Sequence, residues 1–368
     1  MQSRFLISAA HKSSGKTTLS IGLCAAFAER GLKVQPYKKG PDYIDPMWLT
    51  RTSRRPCHNL DFYLMGKDEV GEVFETQARD ADVALVEGNK GLYDGLDLDG
   101  SNSNAALAKL LDIPVVLVID ARGMTRGVAP LILGYQAFDK DIRIAGVILN
   151  QLGGSRHESK LRAVIEHYTD VPVLGAVQRE PGMQILERHL GLIPSNEAGA
   201  ASAQIGQIAQ RVAEQVDLDQ LLALTQGRQK LELALPAPAP AAGRLRIGIL
   251  RDAAFGFYYE DDLQALVEGG AELVPIDALR DRHLPAVDGL IIGGGFPESF
   301  MAELEANASL RGEIKQAIDN GLPAYAECGG LMYLARSLSW QGRTHAMAGV
   351  IPGDVVMHER PVGRGYVR

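Results

Sequence analysis

The stretch Arg4-Phe5-Leu6-Ile7-Ser8-Ala9-Ala10-His11-Lys12-Ser13-Ser14-Gly15-Lys16-Thr17-Thr18 constrains this chain more than any other. An apolar run of strand character breaks into a small polar loop, and the loop ends in Gly-Lys-Thr-Thr ahead of a helical pattern. Backbone N–H groups in such a loop, with the positive end of the following helix, form a nest for phosphates. Ser13, Ser14, Gly15, Lys16, Thr17 and Thr18 are the expected phosphate-binding residues; Lys16 reaches the β- and γ-phosphates and the Thr17 hydroxyl sits on Mg²⁺. The full pattern wants glycine where Ala10 stands. The strand-loop-helix context carries the motif past that departure.

The 368 residues suffice for two or three domains with cores of their own, and 46% hydrophobic with 23% charged residues describes an ordinary globular chain. A net charge of −7 argues against a nucleic-acid partner, which needs clustered basic excess. Neither a membrane-spanning apolar stretch nor the apolar core of a signal peptide is expected. The three cysteines, Cys24, Cys57 and Cys328, are odd in number and lack metal-like spacing, so a reducing cytoplasmic setting is expected. Cys24 reads as core and Cys57 as a bystander.

Downstream of the loop, residues 18–30 carry Leu19, Leu23, Ala26 and Phe27 at helical spacing, closed by Gly31. Residues 32–37 read as a strand, followed by Lys38-Lys39-Gly40-Pro41-Asp42-Tyr43-Ile44-Asp45-Pro46 as a loop whose prolines discourage helix. Two lysines and two carboxylates at a strand end suit a site that handles both phosphate and metal. A strand over 81–86 runs into Glu87, placed where a Mg²⁺ ligand belongs, at the carboxyl end of a parallel strand. Strands over 114–120, 144–150 and 173–176 follow, and the amide of Asn150 is set to read a purine edge. Strand-helix alternation throughout predicts a doubly wound parallel sheet, an α/β fold with ligands at the strand ends.

The alternating Ala-Pro of residues 226–243 reads as an extended linker between a first domain, 1–225, and a second, 244–368. In the second, Gly293-Gly294-Gly295-Phe296-Pro297-Glu298 follows a strand and leaves backbone N–H groups to face a ligand. Ala324-Tyr325-Ala326-Glu327-Cys328-Gly329-Gly330-Leu331 reads as strand, cysteine, two glycines and helix, a nucleophile elbow in which the helix N-terminus lowers the thiol pKa. With Gly294 and Gly295 as oxyanion hole, Cys328 is set to attack a carboxamide.

Together these pieces resemble the cobyrinic acid a,c-diamide synthase family, ATP-dependent amidases of tetrapyrrole carboxylates. The resemblance rests on Lys39-Gly40-Pro41-Asp42-Tyr43-Ile44-Asp45-Pro46, on Glu87-Gly88 with Gly91-Leu92-Tyr93-Asp94-Gly95, on the glycine loop, and on the Cys328 segment. It implies a dethiobiotin-synthetase-like domain that phosphorylates a substrate carboxylate, with ATP and Mg²⁺ as cofactors. Thr17, Asp45 and Glu87 would serve the metal side, Lys16, Asp45 and Asp94 the phosphoryl transfer, and Lys38, Lys39, Asp42 and Tyr43 the substrate. It further implies a flavodoxin-like class I glutamine amidotransferase domain, where Cys328 forms a glutamyl thioester and releases ammonia. The implied partners are a tetrapyrrole polycarboxylate and glutamine, with a homodimer left open.

Such amidotransferases need a general-base histidine well past the cysteine. His345 and His358 follow Cys328, and neither matches that motif. The final residues, 360–368, read like the interior of a domain, so the expectation is a C-terminally incomplete copy, the alternative being use of free ammonia. Three rival functions stay open at this point. Two keep the chemistry but act on hydrogenobyrinic acid or sirohaem, the latter kept in view by His11-Lys12-Ser13-Ser14. The third is a P-loop ATPase with a non-catalytic interaction domain.

Overall fold

The protein is described here from a computed structural model, covering residues 2–183, 185, 187–188, 191–196, 201–227 and 244–359. It separates into two compact units, Met1–Pro236 and Ala237–Arg368. Most of the expected linker, and residues 360–368 with it, lie outside the described residues.

Unit 1 runs β1 (Ser3–Ala9), α1 (Lys16–Glu29), β2 (Val34–Lys39), α2 (Ile44–Ser53), β3 (His58–Leu60), α3 (Lys67–Ala78), β4 (Val83–Glu87), α4 (Asn104–Leu110) and β5 (Val115–Asp120). It continues through α5 (Val128–Phe138), β6 (Ile144–Leu152), α6 (Ser155–Tyr168), β7 (Val173–Gln178), the short pair β8 (Glu187–Arg188) and β9 (Gly191–Leu192), α7 (Ala201–Gln215) and α8 (Leu218–Leu224). Seven parallel strands form one sheet in the order β3-β2-β4-β1-β5-β6-β7. β1 is central, and the chain builds first to one side of it and then to the other. Ligands of such sheets bind where the order reverses, at the carboxyl ends of the strands.

Both faces of the sheet are covered. One carries Val70 and Phe74 of α3, Leu107 of α4, Ile132 of α5 and Leu161 of α6 against alternate strand residues such as Leu6, Val86 and Leu117. On the other, α1 packs between α2 and α7. That position explains why α1 is buried nearly all round, from Leu19 and Ile21 to Leu23, Cys24 and Phe27, rather than along one stripe. Its Gly22 admits α7 so closely that a Cβ there would lie 2.4 Å from Val212 Cγ2. The doubly wound α/β expectation describes this unit.

One local expectation fails. Residues 38–46 are not all loop: Lys38 and Lys39 end β2, and α2 begins at Ile44 with Pro46 inside its first turn. Proline is tolerated there because the first-turn N–H groups have no intrahelical acceptor. Asp42 Oδ1 takes up two of those donors, from the backbone of Ile44 at 2.9 Å and of Asp45 at 3.0 Å.

Unit 2 comprises β10 (Leu245–Leu250), β11 (Phe255–Phe257), α9 (Glu260–Glu268), β12 (Ala271–Ile276), β13 (Gly289–Ile292), β14 (Gly294–Gly295), α10 (Met301–Ala306) and α11 (Ala308–Asp319). β15 (Ala324–Ala326), α12 (Gly329–Leu334), β16 (Ala335–Trp340), β17 (Arg343–Ala346) and β18 (Ile351–Val356) follow. Its main sheet is parallel, in the order β12-β10-β13-β15, over a core that includes Leu250, Ile276, Ile292, Leu304, Ile314 and Tyr333. β13 and β15 lie side by side, so the glycine loop after one and Cys328 after the other emerge at the same edge.

Candidate functional site

The phosphate loop closes on Gly15, the N-cap of α1, in the left-handed region at φ 85°. Two constraints require glycine at this position. A side chain would strain the backbone, and a Cβ would lie 2.2 Å from Asn150 Nδ2. Asn150, at the end of β6, donates that amide to Ser14 O at 2.9 Å. One donor of the expected purine-reading amide therefore braces the loop. Ser14 is buried and its hydroxyl turns back to His11 O at 2.7 Å, while Ser13 is exposed at φ 62°. Ser13, Gly15, Lys16, Thr17, Thr18 and Asn150 line a cleft of about 550 Å³ that continues along Gln178, Arg179 and Met183. Burial lowers the Lys16 pKa against the opposing pull of Glu87.

Beside the loop, side chains from two strand ends, β2 and β4, and the first turns of two helices, α1 and α2, meet. Thr17 Oγ1 donates to Glu87 Oε1 at 2.5 Å and lies 3.2 Å from Asp45 Oδ2. Lys38 Nζ holds the same two oxygens, Asp45 Oδ2 at 2.5 Å and Glu87 Oε1 at 3.0 Å, with Asp42 Oδ2 at 3.9 Å. Glu87 is fully buried, and its Oε2 has no hydrogen-bond partner among the described residues. Burial raises the Glu87 carboxyl against the pull of Lys38. For Lys38 burial works downward, but Asp45, Glu87 and Asp42 carry its pKa well above the ordinary value.

Lys39 points to a different neighbourhood, donating to Asn102 O at 2.5 Å and Oδ1 at 3.1 Å. Burial brings its pKa down to about 8, with Asp61 opposing. Asp94 is exposed, accepts from Gly91 N–H at 2.9 Å, and is close enough to Lys16 to raise that ammonium's pKa. Tyr43 is half-buried at the N-cap of α2. Among the described residues no group of three or more His, Cys, Asp or Glu is placed to hold a metal. The Thr17-Asp45-Glu87 set is two carboxylates and a hydroxyl.

In unit 2, Cys328 stands between β15 and α12 at φ 48°, ψ −115°, a conformation that non-glycine residues avoid. Its neighbours permit it. A Cβ on Gly330 would lie 2.1 Å from Ile292 O, and one on Gly329 would lie 3.0 Å from Gly295 N. The backbone N–H groups of Gly329 and Gly295 both pull the thiol pKa down. Gly294 instead packs against the cysteine's Cβ, at 3.3 Å from its own would-be Cβ. Contrary to expectation the Cys328 pKa is raised: desolvation outweighs those two N–H groups, and Glu298 and Glu327 add to it. His345 bonds Glu305 Oε2 at 2.8 Å, and His358 is exposed beyond β18.

Residues 6–192 match the family described as the CobQ/CobB/MinD/ParA nucleotide binding domain, and residues 246–368 the CobB/CobQ-like glutamine amidotransferase domain. A cobyrinate a,c-diamide synthase from Magnetococcus marinus is 46% identical over 99% of this chain and 80% of its own length. The chain belongs to the cobyrinate a,c-diamide synthase family. Family members from Methanosarcina acetivorans, 46% identical over 98% of this chain and 78% of theirs, and Listeria monocytogenes, 40% identical over 99% and 81%, bear the same name. Among solved structures, chloroplast FtsY from Physcomitrella patens reaches a TM-score of 0.36 at 17% identity, covering 49% of this chain and 60% of that one. That likeness is too slight to carry an argument. Among the described residues no helix is long and apolar enough to cross a membrane.

Within this synthase-family frame, two site residues escape sequence reading. Asn59 Nδ2 bonds Gly40 O and Asp42 O at 2.8 Å each and holds the turn after β2. Asn104 bonds Ser8 Oγ, Asn89 O and Gly91 O and accepts from Asn89 N–H, fixing the segment after Glu87. Both amides lie outside any recognisable motif. Gly329 was legible, since the residue after an elbow nucleophile commonly supplies an oxyanion-hole N–H.

Proposed function

We propose that this protein amidates the a and c acetate carboxylates of cobyrinic acid, using ATP and glutamine, in cobalamin biosynthesis. The observation that carries the reading is the meeting of Lys16, Thr17, Lys38, Asp45 and Glu87 at the carboxyl ends of β1, β2 and β4. A carboxylate resists amidation because it offers no adequate leaving group. Its oxygen attacks the γ-phosphorus of ATP, ADP departs, and an acyl phosphate results. Ammonia then attacks the acyl carbon and phosphate leaves. Lys16 and the loop N–H groups stabilise charge on the transferring phosphoryl group. Lys38 and Lys39 receive substrate and acyl-phosphate oxygens, with Asp42, Tyr43 and Asp94 orienting them.

The donor set suits Mg²⁺, a hard cation that prefers oxygen. Thr17 Oγ1 and Asp45 Oδ2 would hold it together with Glu87, whose Oε2 is buried without a partner among the described residues. It would neutralise charge on the nucleotide phosphates. In unit 2 the Cys328 thiolate would attack the carboxamide of glutamine, with Gly295 and Gly329 N–H groups receiving the oxyanion. The proton that the thiol gave up goes to the amide nitrogen, ammonia leaves, and water hydrolyses the thioester to glutamate. The reading includes a cytoplasmic setting that keeps Cys328 a thiol.

The test is the product mass from cobyrinic acid, ATP, Mg²⁺ and ammonium. Stepwise carboxylate-to-amide changes, ending at the a,c-diamide, are expected. Intact ATP binding with unchanged cobyrinic acid would overturn the substrate assignment, and hydrogenobyrinic acid and sirohaem would be tried next.

A further inference from the structure

Lys38 occupies a position that a charged substrate-binding lysine need not take. Its ammonium reaches Asp45 Oδ2 and Glu87 Oε1, the same two oxygens that face Thr17 Oγ1. Lysine and metal would therefore draw on one set of lone pairs. The side chain is 4% exposed, so these contacts are not those of a surface lysine resting on a convenient carboxylate. Burying Asp45 and the fully buried Glu87 so close together demands a compensating positive charge. Lys38 supplies it.

We propose that Lys38 is a resident counter-cation that exchanges with the divalent metal, keeping the Thr17-Asp45-Glu87 set closed to free metal until a nucleotide arrives. The inference rests on the metal reading above and adds a gate to it. A second perch exists for the displaced ammonium. Asp42 Oδ2 lies 3.9 Å from Lys38 Nζ, while Asp42 Oδ1 is committed to the first turn of α2. A short rotation toward Asp42 and the incoming phosphates would free Asp45 and Glu87 without leaving the lysine unpaired. Metal entry is then coupled to nucleotide entry, because the phosphates both deliver the metal and receive the lysine. A site occupied by free Mg²⁺ alone would leave the ammonium short of partners.

The test measures Mn²⁺ binding to the nucleotide-free chain by electron paramagnetic resonance, in the wild type and in Lys38→Met. Loss of a unit charge within 4 Å of the ligands should tighten Mn²⁺ binding at least tenfold, and Lys38→Arg, which keeps the charge, should not. Lys38→Gln replaces the methionine variant if the latter does not fold. Equal or weaker Mn²⁺ affinity in the uncharged variants, with Mn²⁺-ATP still bound by the wild type, would overturn the exchange and leave the metal reading standing. Failure of the wild type to bind Mn²⁺ even with ATP would instead overturn the metal reading itself, and the exchange with it.

Discussion

The two candidate sites are built in opposite ways. In unit 1 chemistry is concentrated in charged side chains: Lys16, Lys38 and Glu87 are buried, and the ionisation of each is altered by another of the three. In unit 2 it is concentrated in the backbone. One thiol in a strained turn meets N–H groups from two glycines, with no cationic side chain bonded to it among the described residues. A charge cluster fails through a change of side-chain chemistry; a backbone cradle fails when a single Cβ is added. The strands present both in the same manner, at carboxyl ends in a parallel sheet, so the difference belongs to the loops.

That contrast is tested most severely at Lys16. Lys16→Ala should lower amidation about a thousandfold with any nitrogen donor, because no other group replaces its charge on the transferring phosphoryl. Product formation from ammonium is the readout, and a variant of near wild-type rate would remove the phosphate-loop assignment. The corresponding insult in unit 2 is Gly330→Ala, whose Cβ would meet Ile292 O at 2.1 Å. It should destabilise unit 2 by about 2 kcal/mol and displace Cys328, leaving ammonium-driven amidation intact. Thermal denaturation and the alkylation rate of Cys328 report on it.

Smaller effects sharpen the comparison within unit 1. Asn150→Ala removes the brace on Ser14 O but leaves the backbone nest, so the KM for ATP should rise about tenfold. Lys39 offers a pH test. Its pKa of about 8 means that it is charged below that pH and neutral above it, so electrostatic binding of the macrocycle's carboxylates is lost as pH rises. The KM for the macrocycle should increase roughly fivefold above pH 8, and Lys39→Met should flatten the profile. An unchanged profile in that variant would assign the titration elsewhere.

Much of this was legible in the sequence, for stated reasons. Gly15, Lys16 and Thr17 are contiguous, and contiguous motifs carry their own geometry. The meeting of Asp45 and Glu87 across 42 positions followed from strand-end logic in a parallel sheet. The fold class was readable because buried parallel strands are apolar runs separated by helical patterns. Other features depend on contacts remote in sequence. Pro46 argued against a helix that Asp42 in fact caps. Asn59 and Asn104 act by bracing loops, and nothing in their local sequence marks them. The direction of the Cys328 shift depends on desolvation, which no local motif reports.

The central claim is a division of labour, in which unit 1 makes the amide bond and Cys328 only supplies ammonia. The most direct measurement is the rate of diamide formation from cobyrinic acid, ATP, Mg²⁺ and ammonium by the wild type and by Cys328→Ala, side by side. The account predicts equal rates and the same product masses for both. Loss of ammonium-driven amidation in a folded Cys328→Ala protein would contradict it.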